Sequence, residues 1–142
     1  MAGKKITCLS CGQTNAVPFD KLAAGPKCGK CKAALMPDAP VDVDLATLVK
    51  AAQTDDVPLV VDFWAPWCGP CKMMGPEFAK AAGALKGQAR LIKVDTQKHQ
   101  SAGQRYGIRG IPTMVAFKGG REVKRQSGAV SAGAITDWAK GL

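Results

Sequence analysis

The chain has 142 residues, which is enough for one domain with a sizeable core and a small additional segment. Its 20 Lys and Arg residues outnumber its 11 Asp and Glu residues, so the formal net charge is +9. The basic residues are spread along the chain and only Phe19 is aromatic before Phe63, so the basic and aromatic pattern that stacks on nucleic-acid bases is missing. We interpret the charge as a solvated basic surface and expect no nucleic-acid partner.

The sequence also gives no sign of export or membrane insertion. Its first residues include Lys4 and Lys5 but no apolar stretch or cleavage site of a secretory signal, and no segment approaches the ~20 apolar residues of a membrane span. Six cysteines in such a chain favour metal ligands and redox thiols over a disulfide framework. We therefore expect a cytoplasmic protein with no membrane partner.

The first forty residues contain two Cys-x-x-Cys pairs, Cys8 with Cys11 and Cys28 with Cys31. This spacing is typical of a four-thiolate zinc ribbon, because each short turn presents two sulfurs to one edge of a tetrahedral ion. The segment has few large apolar residues, so we expect one structural zinc to supply the missing folding energy. Two local disulfides, or a single iron with the same four ligands, are the alternatives.

Pro37 and Pro40 predict a short stiff linker, since both prolines disfavour helix just before them. We place the domain boundary there, with a small domain over residues 1–37 and a larger one over residues 38–142. After the linker we expect a short strand over residues 41–43. A helix capped by Asp44 should then run to about Gln53.

An apolar run over residues 59–64 predicts a buried strand, and an apolar-periodic segment after Gly69 and Pro70 predicts a helix. Cys68 should then lie at the helix N-terminus, with Cys71 one turn inside it and close enough to form a disulfide. The free N–H groups and the helix dipole at that end favour a thiolate over a thiol. We expect four apolar residues to lie in the core: Met73, Met74, Phe78 and Trp138.

The rest of the chain continues this alternation of strands and helices. We expect a strand over residues 91–95, a helix over 100–106, and a hairpin of strands 114–118 and 121–126 joined at Gly119 and Gly120. A final helix should begin at Ser131 or Ala132. The order predicts an α/β fold, a mixed central sheet flanked by helices on both faces.

The motif from Trp67 to Lys72, Trp-Cys-Gly-Pro-Cys-Lys, resembles the thioredoxin active site. Asp62 stands where that family has a buried carboxylate, and residues 110–113 match its cis-proline loop at Pro112. Pro76 matches the proline that kinks the active-site helix. The resemblance implies a thioredoxin fold from about residue 41 onward. The N-terminal segment is similar to the zinc ribbon of the thioredoxin 2 type.

The resemblance implies a protein disulfide reductase. Cys68 would attack a substrate disulfide and Cys71 would resolve the mixed disulfide, with Asp62 moving a proton and Pro112 shaping the docking loop. The implied partners are disulfide-containing proteins and an NADPH-dependent thioredoxin reductase, with no organic cofactor and a monomeric protein. The expected substrate-binding residues are Trp67, Gly69, Pro70, Ile111 and Gly128.

Alternatives remain for two of these residues. Asp62 could be an exposed strand residue with no role, although the apolar residues around it favour a strand buried on both faces. Pro112 could be trans, since only about 5% of X-Pro bonds are cis. The family also carries a lysine where this chain has Leu91. Lys93 points to the same face of the strand, and whether it takes over that lysine's role stays open.

Two other functions compete with disulfide reduction. One is thiol oxidation or isomerisation, but Gly69 and Pro70 resemble the reducing members, whereas oxidising members usually carry a histidine between the cysteines. The other is a zinc-dependent binding module, in which the ribbon recruits a partner and the dithiol is secondary. A further hypothesis is that oxidation of the four N-terminal cysteines ejects zinc and alters activity.

Overall fold

A computed structural model of the chain describes residues 3–142. Met1 and Ala2, with which the predicted first domain begins, lie outside the described residues. We call residues 3–37 the N-terminal segment and residues 38–142 the α/β segment.

Two short antiparallel strands open the N-terminal segment, β1 (Lys4–Thr7) and β2 (Thr14–Val17), followed by a 3₁₀ turn over Phe19–Lys21. A second hairpin is closed by a bridge between Lys27 and Ala34. The sequence predicts no strands here, because runs of four residues are too short to show a period.

The α/β segment is built on a five-stranded sheet with the order β3-β5-β4-β6-β7. Strands β3, β5 and β4 run parallel to one another, whereas β6 and β7 are antiparallel to their neighbours. The prediction of a mixed sheet is therefore confirmed. The strands are β3 (Val41–Asp42), β4 (Leu59–Trp64), β5 (Arg90–Asp95), β6 (Thr113–Lys118) and β7 (Arg121–Ser127).

Four helices cover both faces of the sheet, as predicted. Residues of α1 and α3 pack with one set of sheet residues, and residues of α2 and α4 with the other. Asp44 caps α1 by accepting a hydrogen bond from Thr47 N at 2.9 Å, and Ser131 caps α4 in the same way. The helices are α1 (Leu45–Thr54), α2 (Gly69–Ala84), α3 (Gln100–Arg105) and α4 (Ala132–Lys140).

Of the four predicted core residues, Met74 and Phe78 are buried and Trp138 is partly buried against the same cluster. The prediction for Met73 is wrong, because its side chain is 75% exposed. Successive helical residues differ by about 100° in direction, so Met73 points to solvent where Met74 points to the sheet.

Among residues 3–142, the structure contains no helix with the length and apolar character that a membrane span requires.

The N-terminal segment packs directly on the α/β segment, a contact that the sequence does not predict. Val57, which precedes β4, lies in one apolar cluster with buried residues of the N-terminal segment such as Ile6 and Leu35. Lys5 and Asp56 exchange two hydrogen bonds, Lys5 N to Asp56 Oδ2 at 2.7 Å and Asp56 N to Lys5 O at 2.9 Å. The N-terminal segment therefore completes its small core with a residue of its neighbour.

Candidate active site and metal site

The candidate redox pair lies where the chain leaves β4 and enters α2. Cys68 is the N-cap residue of α2, and its Sγ accepts a hydrogen bond from Cys71 N at 3.2 Å. Pro70 occupies the first turn, where its missing N–H removes no helical hydrogen bond. The predicted position of Cys68 at a helix N-terminus is therefore confirmed.

Cys68 and Cys71 form a disulfide, with their Cα atoms 5.2 Å apart. The structure thus represents the oxidised form of the chain. In the reduced form, the amide that now faces Cys68 Sγ can donate to a thiolate, and the positive end of the helix dipole favours that ionised form.

The loop before β6 lies against this disulfide. The Ile111–Pro112 peptide bond is cis, and Ile111 O lies 3.8 Å from Cys68 Sγ. Gly128 N donates to Pro112 O at 2.9 Å, and Gly128 has a φ of +93°, which favours glycine at this position. The structure therefore brings Ile111, Pro112 and Gly128 to one side of the redox pair.

An open groove of about 450 Å³ runs between the start of α2 and the Pro112 loop. Trp67 forms part of its wall and is 70% exposed, so a large apolar side chain is presented to solvent beside the disulfide. Gly69, Pro70 and Ile111 also line it, as expected, whereas Gly128 does not. Five further residues line the groove: Thr96, Gly103, Ile108, Arg109 and Gly110. Of these, only Gly110 belongs to a motif that the sequence indicates, the loop of residues 110–113.

Asp62 is fully buried in β4, so the alternative of an exposed strand residue is wrong. Neither carboxyl oxygen has a hydrogen-bond partner among the described residues. Burial raises the pKa of Asp62 to about 7, the positive charge of Lys93 offsets part of that rise, and the negative charge of Asp42 adds to it. A carboxyl with a pKa near neutrality can both take up and release a proton at physiological pH.

Lys93 lies directly opposite Asp62 on the neighbouring strand β5. Its ammonium group sits 4.4 Å from the centre of the Trp64 ring, and Trp64 Nε1 donates to Asp42 Oδ1 at 3.2 Å. Lys93 therefore acts on Asp62 through its charge and not through a hydrogen bond.

The four N-terminal cysteines form one cluster, in which all Sγ atoms lie within 4.8 Å of one another. Cys8 Sγ lies 3.5 Å from Cys31 Sγ, and Cys11 Sγ lies 3.6 Å from Cys28 Sγ. Four sulfurs at the usual Zn–S distance of about 2.3 Å form a tetrahedron with edges of about 3.8 Å. The cluster therefore fits a tetrahedral zinc ion.

Groups around the cluster are arranged to stabilise thiolates. Cys11 N donates to Cys8 Sγ and Lys30 N donates to Cys28 Sγ, each at 3.4 Å. Asn15 Nδ2 lies 3.5 Å from Cys28 Sγ, while Asn15 Oδ1 accepts from Gly29 N at 2.9 Å. Such outer contacts orient metal ligands and reduce the charge that four thiolates place on one ion.

Comparison with known proteins agrees with this geometry. The sequence model described as Thioredoxin matches residues 39–141, a span that includes both cysteines of the redox pair and the Pro112 loop. The chain belongs to the thioredoxin family. It is accordingly a thiol–disulfide oxidoreductase with a thioredoxin fold. A second model, described as Thioredoxin 2, N-terminal, matches residues 7–33, which contain the whole four-cysteine cluster.

Individual relatives support the same assignment. The chain is 38% identical to Thioredoxin C-3 of Corynebacterium nephridii over 94% of this chain and 91% of that protein. It is 42% identical to Thioredoxin 1 of Nostoc sp. over 65% of this chain and 86% of that protein.

Solved structures give the same fold. The Malassezia sympodialis thioredoxin Mala s 13 superposes with a TM-score of 0.65 and 33% identity, over 72% of this chain and 92% of that one. A chain from work on thiol resolution in a yeast mitochondrial 1-Cys peroxiredoxin has a TM-score of 0.66 and 28% identity, over 72% and 95%.

Proposed function

We propose that this thioredoxin is a protein disulfide reductase that acts on disulfide-containing proteins and is recharged by an NADPH-dependent thioredoxin reductase. The observation that carries the proposal is the placement of Cys68. It caps α2, forms a reversible link to Cys71, and lies 3.8 Å from the Ile111 carbonyl at the edge of an open groove. A nucleophile at the edge of a groove can meet a disulfide carried by another protein.

In the proposed reaction the Cys68 thiolate attacks one sulfur of a substrate disulfide. A mixed disulfide forms and the other substrate sulfur leaves as a thiolate. Cys71 then loses its proton and attacks Cys68 Sγ, which forms the intramolecular disulfide and releases the second substrate thiolate. Two electrons pass to the substrate, and the reductase returns two from NADPH. Asp62, buried with a pKa of about 7, accepts the Cys71 proton.

The groove supports a mode of substrate binding. Ile111 carries backbone groups that an extended substrate segment can pair with, in the manner of an added strand. The exposed indole of Trp67 offers apolar contact area beside the attacking sulfur. Gly69 and Pro70 line the groove with little side-chain bulk, so a protein substrate can approach closely. Gly128 supports the loop through its hydrogen bond to Pro112 O. Pro112 sets the direction of the loop.

For the N-terminal segment we propose one structural zinc bound by Cys8, Cys11, Cys28 and Cys31, with no organic cofactor. When bound, zinc supplies folding energy and takes no part in the exchange reaction. We also propose the domain division at residues 37 and 38, a monomeric state and a cytoplasmic location. The reducing cytoplasm suits both a dithiol reductase and a four-thiolate site.

The test is a coupled assay in which thioredoxin reductase and NADPH drive reduction of insulin disulfides. We expect NADPH consumption with the wild-type chain and none with Cys68→Ser, which lacks the attacking sulfur. Cys71→Ser should accumulate a mixed disulfide with insulin that dithiothreitol releases, because nothing resolves it. A trapped adduct on Cys71 in the Cys68→Ser variant would reverse the assigned roles. Efficient oxidation of reduced ribonuclease without insulin reduction would favour an oxidase.

A further inference from the structure

Arg90, the first residue of β5, is a charged side chain that is only 1% exposed. Its Nη2 forms an ion pair with Asp55 Oδ2, and the Asp55 side chain is 2% exposed. Asp55 directly follows α1, so both members of the pair belong to the α/β segment. Burying two charges is costly unless further hydrogen bonds satisfy them, so their other partners show what the pair does.

Those other partners lie in the N-terminal segment. Arg90 Nη1 donates to Thr7 O at 2.8 Å and to Leu35 O at 3.3 Å. Asp55 Oδ1 accepts from Thr7 N at 2.8 Å. Both backbone groups of Thr7 are therefore held by one buried ion pair of the α/β segment. The Asp55 side chain accepts both of its hydrogen bonds, as expected for an ionised carboxylate.

The two carbonyls that accept hydrogen bonds from Arg90 lie in different hairpins, and each hairpin carries one of the two cysteine pairs. Thr7 immediately precedes Cys8 in the first hairpin, and Leu35 closes the second hairpin through its N–H to Pro26 O at 2.9 Å, four residues after Cys31. One guanidinium nitrogen of Arg90 thus hydrogen-bonds to both hairpins. Asn15, in the first hairpin, also contacts the second hairpin, at Cys28 and Gly29 beside the cluster.

Four sulfurs form a closed metal site only when the two cysteine pairs face each other. Hydrogen bonds such as Cys8 N to Gln13 O and Cys28 N to Ala33 O hold each hairpin internally, but they do not set one hairpin relative to the other. We propose that Arg90 and Asp55 are positioning residues for the four-cysteine cluster: the α/β segment holds its two hairpins in the arrangement that binds zinc. Metal affinity therefore depends on residues that lie outside the N-terminal segment.

The test compares zinc affinity across variants of the full-length reduced protein, using competition with a chromogenic chelator. Arg90→Met removes all three hydrogen bonds of the guanidinium, and we expect the apparent Kd for zinc to rise about 10-fold or more, as for other groups that orient metal ligands. Arg90→Lys keeps the buried charge, but a single ammonium group lacks the planar fork of N–H donors with which arginine bonds Asp55 and both carbonyls. It should give a smaller rise in Kd.

Arg125→Met is the matched control. Arg125 also pairs with a carboxylate, Glu122, and donates to two backbone carbonyls, Tyr106 O at 2.7 Å and Gly107 O at 3.3 Å, but it lies within the α/β segment and is partly exposed. The zinc affinity of the Arg125→Met protein should equal that of the wild type. Cobalt spectra of each protein supply a second readout, because a distorted sulfur tetrahedron changes the ligand-field bands.

Several outcomes would overturn the inference. One is a folded Arg90→Met protein that binds zinc as tightly as the wild type and has an unchanged cobalt spectrum. If Arg90→Met does not fold, wild-type zinc affinity and an unchanged cobalt spectrum in Arg90→Lys would contradict the inference instead. An equal loss of affinity in Arg125→Met would also contradict it. The inference rests on the proposed zinc site, whose own failure is distinguishable, because the wild type would then bind no zinc at all.

Discussion

Asp62→Asn tests the central electrostatic claim about the redox site. The substitution keeps the shape of the side chain and removes its titration. In the folded chain the Asp62 carboxyl keeps its proton up to about pH 7, whereas the ordinary value in an unfolded chain is 3.8. A difference of about 3 units corresponds to about 4 kcal/mol between the two protonation states.

The sign follows from which state binds more protons. Between pH 4 and pH 7 the folded protein holds a proton on Asp62 that the unfolded chain has lost, so the free energy of unfolding falls as pH rises through that range. Asp62 therefore costs the fold up to about 4 kcal/mol above pH 7. Asp62→Asn should be little changed in stability at or below about pH 4, more stable than the wild type by about 1–2 kcal/mol at pH 5, and more stable by about 2–4 kcal/mol at pH 8.

The measurement is urea unfolding of the oxidised protein at several pH values, followed by tryptophan fluorescence. All three tryptophans lie in the α/β segment, so the signal reports the part of the chain that holds Asp62. Asp20→Asn, at an exposed carboxylate of the N-terminal segment, is the control and should follow the wild-type profile. Parallel profiles for Asp62→Asn and the wild type would refute the reasoning about burial.

A second readout tests the proposed proton transfer itself. If Asp62 accepts the Cys71 proton, Asp62→Asn should slow resolution of the mixed disulfide in single-turnover experiments, while the initial attack by Cys68 changes less. Stabilisation accompanied by slower turnover would match a buried group retained for function. Single-turnover rates that are the same in variant and wild type from pH 6 to pH 9 would remove the catalytic role.

Lys93 and Gly87 supply two further predictions. Lys93→Met removes the positive charge opposite Asp62 and should raise the Asp62 pKa above its present value of about 7, so the pH profile of the resolving step should move upward; a profile in its original place would contradict this. Gly87→Ala should cost about 2–4 kcal/mol in urea unfolding, because φ is +82° and the new Cβ would lie 2.8 Å from the Ala23 Cβ. Gly107→Ala, with a φ of +63° but open space around it, should cost about 1–2 kcal/mol, and equal losses would argue against the Ala23 contact.

The parts of the site that sequence could predict are those encoded within a few residues. Cys68 follows a strand signal and precedes Gly-Pro and a helical period, so its place at a helix N-terminus is a local property. The burial of Asp62 followed from the apolar residues on both sides of it. The Ile111–Pro112 cis bond needed the family resemblance, because nothing local distinguishes it from a trans bond.

The contact between the two segments left no such local signal. Arg90 meets its partners across 35, 55 and 83 positions of the chain, and an arginine at the start of a strand is unremarkable by composition. The prolines of the linker suggested two separate bodies, although a stiff connection can equally hold two bodies in contact. The sequence predicts Met73 in the core because methionine is apolar, whereas its direction on α2 turns the side chain to solvent.

The buried Arg90–Asp55 pair bears on whether the N-terminal segment is a portable module. Grafting residues 3–37 onto another thioredoxin would transfer all four cysteines but not the groups that hold Thr7 and Leu35. Conversely, cutting the chain at residue 38 would leave Arg90 and Asp55 without three hydrogen bonds and would expose Val57. Loss of activity in such a truncation would therefore report damage to the α/β segment as well as loss of the ribbon. A chimera that carries Asp55 and Arg90 along with residues 3–37 would also transfer the groups that hold Thr7 and Leu35.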